Sequence, residues 1–230
     1  MTEITAADLD ILRQWDTPTI CNALEIVIPE RRGHGFTVAP FVCLDPALPP
    51  MVGFARTAKI RAAQPPAGKD AGNRMPYYEY VAQPPGPTVV VIEDVDPKPG
   101  VGAFWGEVHT AVHKGLGALG VVTNGSIRDL PDSAPGFQAL AGMVNPSHAF
   151  VHPVAFDVEV TVHGMAVTHN DIVHADQHGA VVVPAEAVLK IPDAVDLISR
   201  REAKILTAAK SDDFDIGKLR QAIGDAAEIH

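Results

Sequence analysis

The stretch that most constrains this chain runs from Gly100 to Asp132, GVGAFWGEVHTAVHKGLGALGVVTNGSIRDLPD. It opens on a glycine turn, Gly100-Val101-Gly102, and a helix is expected from Gly106-Glu107. On that helix Val108, Ala111, Val112, Gly115 and Leu116 share one apolar or small face. Gly115, Gly117 and Gly120 end it, and Leu119–Thr123 reads as a short buried strand. The loop Asn124-Gly125-Ser126-Ile127 then delivers Arg128-Asp129. A helix of about twelve residues rises about 18 Å, and about six strand residues return a similar distance. Glu107 and Arg128-Asp129 are therefore expected to meet at one sheet edge, where open α/β sheets place their ligands.

The residue types at that edge specify a chemistry. Free amides at a helix N-terminus, here those of Val108 and His109, attract an anion. Arg128 adds a planar, permanently charged fork suited to a carboxylate. Asp129 offers a hard oxygen ligand to a divalent cation such as Mg²⁺, and Glu107 and Asp132 bring two more carboxylates. Together they describe a pocket for a small oxyacid bound through a metal. The same residues also suit a plainer arrangement, a surface ion pair in a turn beside a helix-start carboxylate.

Glu107, twenty intervening residues, Arg128-Asp129, two residues and Asp132 form a pattern with recognisable flanks. These are WGE at Trp105–Glu107, GVVTNGSIRD at Gly120–Asp129 and HADQHGAVVVP at His174–Pro184. The pattern resembles the site motif of the RraA-like family, and the likeness runs from about Thr17 to Lys204. That family holds class II 4-hydroxy-4-methyl-2-oxoglutarate/4-carboxy-4-hydroxy-2-oxoadipate aldolases and the regulator of ribonuclease E activity A. The resemblance implies an α/β fold, an αββα sandwich related to the swivelling β/β/α domain, with helical N- and C-terminal segments. A single domain over 1–230 is expected, with terminal helices in 1–28 and 184–230.

By the same resemblance the activity is a Mg²⁺- or Mn²⁺-dependent aldol cleavage of a 4-hydroxy-2-oxoacid to pyruvate, with oxaloacetate decarboxylation as a side reaction. The alternative is a non-catalytic regulator that binds a ribonuclease. Asp129 would hold the metal, which the substrate's 2-oxo and carboxylate oxygens chelate. The backbone at Gly106, Val108 and His109 would receive the carboxylate. Arg128 would meet the enolate oxygen, and Glu107 would serve proton transfer. Asp132, Asp171 and Asp176 would support the pocket. In TPTICNALE, Asn22 stands where the aldolases carry a carboxylate that reaches a neighbouring subunit's site, with Glu25 one turn on. An amide does not act as a general base. A homotrimer or homohexamer is implied.

Composition narrows the partners. A net charge of −10 disfavours nucleic acid and anionic membrane, so an anionic substrate must be held by local positive charge. Cys21 and Cys43 form neither a metal spacing nor a disulfide framework, and MTEITAADLDILRQWD has no signal-like apolar core. A cytoplasmic protein is expected. No apolar run reaches membrane-spanning length. Methyltransfer lacks the glycine-rich nucleotide turn after a first strand.

Elsewhere, Thr5 with Asp8 resembles a capping box ahead of Leu9, Leu12 and Trp15, and Thr17-Pro18 starts a second helix burying Ile20, Ala23, Leu24 and Val27. Arg31–Pro50 reads as a loop, Met51–Arg61 as a strand and Gln64–Arg74 as a lid-like loop. Met75–Ala82, with Tyr77, Tyr78, Glu79 and Tyr80, is a helix that either packs or lines the pocket. Thr88–Glu93 is a buried strand. Gly136–Leu140 suggests a helical turn and Gly142–Val144 a strand. Val154–His163 alternates as one strand turning at Gly164, and Ile172–Val173 and Ala180–Val183 are further strands. Helices follow Pro184, with breaks near Pro192 and Ser211-Asp212-Asp213. Histidines at His109/His113 and His169/His174/His178 raise a zinc alternative, with no HExxH to support it.

Overall fold

The computed structural model describes residues 4–68 and 73–230; residues 69–72, within the loop expected to be lid-like, lie outside the described residues. Helix α1 (Ala6–Leu12) begins with the expected capping box, Thr5 and Asp8 capping each other. Helix α2 (Thr17–Val27) is capped by Asp16, and its buried side chains include Ile20, Ala23 and Leu24. Strands β1 (Val42–Cys43) and β2 (Met51–Arg61), helix α3 (Met75–Val81) and strand β3 (Thr88–Asp94) follow. The central unit is β4 (Ala103–Trp105), α4 (Glu107–Gly115), β5 (Ala118–Ile127) and β6 (Gln138–Val144). Strands β7 (His152–Phe156), β8 (Val160–Val162), β9 (Met165–Val167), β10 (Ile172–Asp176) and β11 (Gly179–Val183) come next. Helices α5 (Ala185–Val188), α6 (Ile191–Ala209) and α7 (Ile216–Ala227) complete the chain.

The main sheet runs β1-β6-β5-β3-β2-β10-β11, with β4 added beside β5 and β7 beside β2. Its centre, β2, β3, β5 and β6, is parallel, while β10 and β11 are antiparallel. Strand β2 marks the curl of the sheet. Ala58 and Ile60 join a core with Tyr77, Trp105 and Phe137 under α3 and α4. Met51 and Ala55 face a second core, with Val160, Val162, Met165 and Val167 of the β8–β9 hairpin. Val52 and Phe54 join a third, against α1, α2, α5 and α6. The layers are thus helix, strand, strand, helix, a mixed α/β fold with helices at both ends.

Several local expectations are corrected. On α4 the buried face carries His109, Thr110 and His113, while Val108 is 66 % exposed and Ala111 and Gly115 are exposed. The imidazoles are buried because aromatic partners surround them: His113 Nε2 lies 2.8 Å from Tyr77 Oη, and its Nδ1 meets its own helix at His109 O. Strand β5 continues through Asn124-Gly125-Ser126 rather than ending in a loop. The Asn124 side chain exchanges hydrogen bonds with the backbone of Asp94 in both directions, and the β5–β6 register shifts there. Residues 136–140 form no helical turn; Gln138 opens β6, its amide donating to Asp45 O and accepting from Asp45 N. The single strand expected over Val154–His163 breaks at Asp157, whose φ of 56° rotates the two halves onto different partners.

Candidate active site

The expected meeting point forms at the end of β4, where the chain enters α4 beside the end of β5. Trp105 pairs with Ile127, and Arg128 N–H donates to Trp105 O at 2.9 Å. The turn leading in is fixed by Asp94, which accepts from the Gly100 N–H at 2.7 Å, while Asn145 and Ser126 donate to Gly100 O. Asp129 then adopts a left-handed conformation, φ 53° and ψ 43°, and starts a short 3-10 turn over Leu130–Asp132. That backbone sets its carboxylate against the helix start: Asp129 Oδ2 lies 3.4 Å from the Glu107 N–H and 3.6 Å from Arg128 Nε.

Gly106 makes this approach possible. A Cβ there would lie 2.5 Å from Asp129 Oδ2 and 3.1 Å from Arg128 Cγ, so any side chain would displace the carboxylate. No side chain caps α4, and its hydrogen-bond ladder opens with Thr110 N–H to Gly106 O. The amides of Val108 and His109 therefore have no acceptor within the helix. Arg128 Nε is buried without a hydrogen bond.

Arg128, Val108 and His109 line a cavity of about 240 Å³ together with Arg74, Ala103, Phe104, His148 and Val151. The cavity is smaller than the roughly 300–1,000 Å³ typical of drug-sized ligands, which suits a small acid. Arg74 Nη1 lies 3.0 Å from His109 Nε2, and its Nη2 donates to Val151 O at 2.9 Å. His109 is pushed down to about 3, first by burial and then by the positive charges around it. It is a neutral acceptor for Arg74, with its other nitrogen 3.5 Å from Tyr78 Oη.

Gly106, Glu107, Val108, His109, Arg128, Asp129 and Asp132 thus gather at one edge, with Glu107 and Asp132 exposed. Asn22 and Glu25 do not join them within the chain. Asn22 is exposed on α2, and Glu25 pairs with Arg32 at 2.8 Å beside a separate cavity of about 140 Å³. Asp176 accepts from Thr17 N–H and His178 N–H, tying β10 to the start of α2, and Asp171 closes a turn onto Thr168. His174 is buried among Thr17 Oγ1, Leu12 O and Trp15 O. No group of three or more His, Cys, Asp or Glu side chains is placed to hold a metal among the described residues. Asp129 remains the one expected ligand at this edge. Its Oδ2 meets Glu107 N–H and Arg128 Nε, so Oδ1 is the oxygen free of these contacts and fits a hard cation.

Arg74, Phe104, His148 and Val151 join the cavity without belonging to any sequence motif. They arrive from separate segments, so no spacing connects them; the one local signal is an arginine directly ahead of a Met-Pro helix start.

The RraA-like family, described as Aldolase/RraA, matches residues 17–182. No curated protein matches the chain. Among solved structures, an uncharacterized protein from Pseudomonas syringae pv. tomato str. DC3000 superposes with a TM-score of 0.72 at 22 % identity, over 97 % of this chain and 96 % of that one. Streptomyces coelicolor RraAS2, described as an unusual member of the RNase ES inhibitor RraA protein family, gives 0.67 at 22 %, over 92 % and 100 %. The RNA-processing inhibitor RraA from Thermus thermophilis gives 0.50 at 19 %, over 70 % and 90 %. At these identities the likeness to solved structures concerns the fold. No helix is long and apolar enough to cross a membrane among the described residues.

Proposed function

The chain belongs to the RraA-like family, and from that premise we propose that it is a divalent-metal-dependent lyase that cleaves a 4-hydroxy-2-oxoacid, such as 4-hydroxy-4-methyl-2-oxoglutarate, to pyruvate. Oxaloacetate decarboxylation accompanies it. The observation that carries this reading is one small cavity lined by Arg128 and the uncapped start of α4, with the Asp129 carboxylate beside both Arg128 Nε and the Glu107 N–H.

Asp129 would hold Mg²⁺ or Mn²⁺, which when bound would supply Lewis-acid charge for the developing enolate. The amides of Val108 and His109 receive the carboxylate, and the neighbouring guanidinium of Arg128 faces the 2-oxo oxygen. Glu107 accepts the proton of the 4-hydroxyl; the C3–C4 bond breaks, C4 becomes a carbonyl, the electron pair passes into pyruvate enolate, and return of a proton to C3 gives pyruvate. Arg128 balances the charge that develops on the enolate oxygen, an interaction stronger in the transition state than in the ground state. Decarboxylation of oxaloacetate expels CO₂ and leaves the same enolate, with no hydroxyl proton to remove. Phe104 and Val151 give the cavity apolar walls that limit water around the enolate.

A second reading, a protein-binding regulator that performs no chemistry, is suggested by the solved structures described as an unusual member of the RNase ES inhibitor RraA protein family and as an RNA-processing inhibitor. Asn22, where the resemblance places a carboxylate, favours it. One assay separates the two. Purified protein with Mg²⁺ or Mn²⁺ is given oxaloacetate and several 4-hydroxy-2-oxoacids, and pyruvate is followed over time. Metal-dependent pyruvate release is expected; its absence with every substrate and metal would return the chain to the regulator reading.

A further inference from the structure

Arg74 is the one charged side chain of the cavity that no part of the motif accounts for. It lies at the entry to α3, far in sequence from Arg128, yet both guanidiniums line the same space of about 240 Å³. Two permanent cations in so small a volume repel each other unless an anion lies between them. In a chain of net charge −10, such a concentration of positive charge is a local feature.

The contacts of Arg74 hold it in place without neutralising it. Nη1 donates to His109 Nε2 at 3.0 Å and Nη2 to Val151 O at 2.9 Å, both uncharged acceptors. Its guanidinium carbon stands 5.7 Å from the centre of the Phe104 ring. Burial keeps His109 neutral, so the imidazole continues to accept from Arg74 rather than repel it. A guanidinium carries five N–H donors; two are used in these contacts, which leaves donors for a ligand. The half-buried side chain is therefore held in place with its charge unpaired among the described residues.

We propose that Arg74 binds the carboxylate remote from the 2-oxo group, and so makes the cavity selective for 2-oxo dicarboxylates over 2-oxo monocarboxylates. The assignment rests on the reading that the 2-oxo end lies at Arg128 and Asp129. With the near carboxylate at the start of α4 and the far one at Arg74, the substrate spans the cavity, and its 4-carbon is set by charge at both ends. Arg74 acts on binding and register, and Arg128 on the enolate.

The test compares two unreactive ligands of equal carbon length, 2-oxoglutarate and 2-oxopentanoate, titrated calorimetrically into the full chain with Mg²⁺. Wild-type protein is expected to bind 2-oxoglutarate at least tenfold more tightly. In Arg74→Gln the ratio of the two affinities should fall about tenfold or more, since a charge-assisted hydrogen bond is lost. Arg74→Lys keeps the charge but loses the fork and should give an intermediate ratio; if the Gln variant does not fold, the Lys variant decides alone. A wild-type protein indifferent to the second carboxylate, or an unchanged ratio in the variants, overturns the proposal. Selectivity that depends on Arg74 in a protein that releases no pyruvate would uphold Arg74 and sink the aldolase reading instead.

Discussion

At the scale of single residues, the site depends on close approaches that small changes break. Asp129→Ala should abolish metal-stimulated pyruvate release with little loss of stability, because the carboxylate is about one-third exposed and carries no core packing. Unchanged metal affinity and activity in that variant would reject the metal assignment. Gly106→Ala tests the same geometry from the other side. The added methyl would meet Asp129 Oδ2 at 2.5 Å, so activity should drop sharply while the circular dichroism spectrum stays native. Arg128→Lys should lower turnover far more than affinity, by about 10²–10³-fold, as for loss of an oxyanion donor, and oxaloacetate decarboxylation should fall in step with aldol cleavage. Glu107→Gln should impair cleavage and largely spare decarboxylation. Equal losses in both reactions would remove Glu107 from proton transfer.

At the scale of elements, α4 carries both function and a pH liability. Its buried face is His109 and His113, and burial pushes His113 down to about 4 and His109 to about 3. Both folded values lie below the ordinary histidine value of 6.5. The unfolded chain therefore takes up protons that the native helix refuses as pH falls below 6.5, and stability is lost from there toward pH 4. For His113 alone the loss is on the order of 3 kcal/mol. Urea midpoints measured between pH 7 and pH 4 should show it, and His113→Gln should flatten the profile if it folds. The β10–α2 junction offers a separate handle. Asp176→Ala leaves the buried Thr17 N–H without its acceptor and should cost about 1–3 kcal/mol in urea unfolding, with the Arg128 site intact.

For the whole molecule, the C-terminal helices divide into a part that seals a core and a part that does not. Ala187, Val188, Ile191, Ala194 and Val195 of α5 and the start of α6 close the core formed by α1, α2 and β11. Helix α7 packs chiefly on α6 and buries only Ala222 and Ala226. Ending the chain at residue 211 should leave the fold and the Arg128 cavity in place, whereas ending it at 183 should give aggregating protein, as read by light scattering. Assembly belongs to this scale too. Asn22 and Glu25 stand apart from Arg128 within one chain, and Val108, beside the cavity, is 66 % exposed. We propose a trimer or a dimer of trimers in which α2 of one copy approaches the cavity of another. A fully active monomer by light scattering would reject it.

The sequence by itself determined the local and the periodic. The capping box at Thr5, the strand at Met51–Arg61, the turn at Gly164 and the stop-start pattern after Pro184 are set by neighbours a few residues apart, and their side chains state them directly. The pattern from Glu107 to Asp132 also named the residues of the common edge, but equal lengths do not bring them there. Helix α4 has nine residues and β5 ten, rises of about 13 Å and about 33 Å, and it is the pairing of Trp105 in β4 with Ile127 that sets the helix start beside the strand end. What only the tertiary structure decided are the pairings made at a distance. The Asn124 amide bonds to Asp94 and carries β5 through what reads locally as a loop. Gln138 finds Asp45 and becomes a strand. The aromatic residues of α3 and β4 turn the histidine face of α4 inward, against its apolar periodicity. Arg74 reaches the cavity of Arg128 by the same means. Periodicity records which residues share a face, but which face is covered depends on partners tens of residues away, and those meet only when the sheet curls.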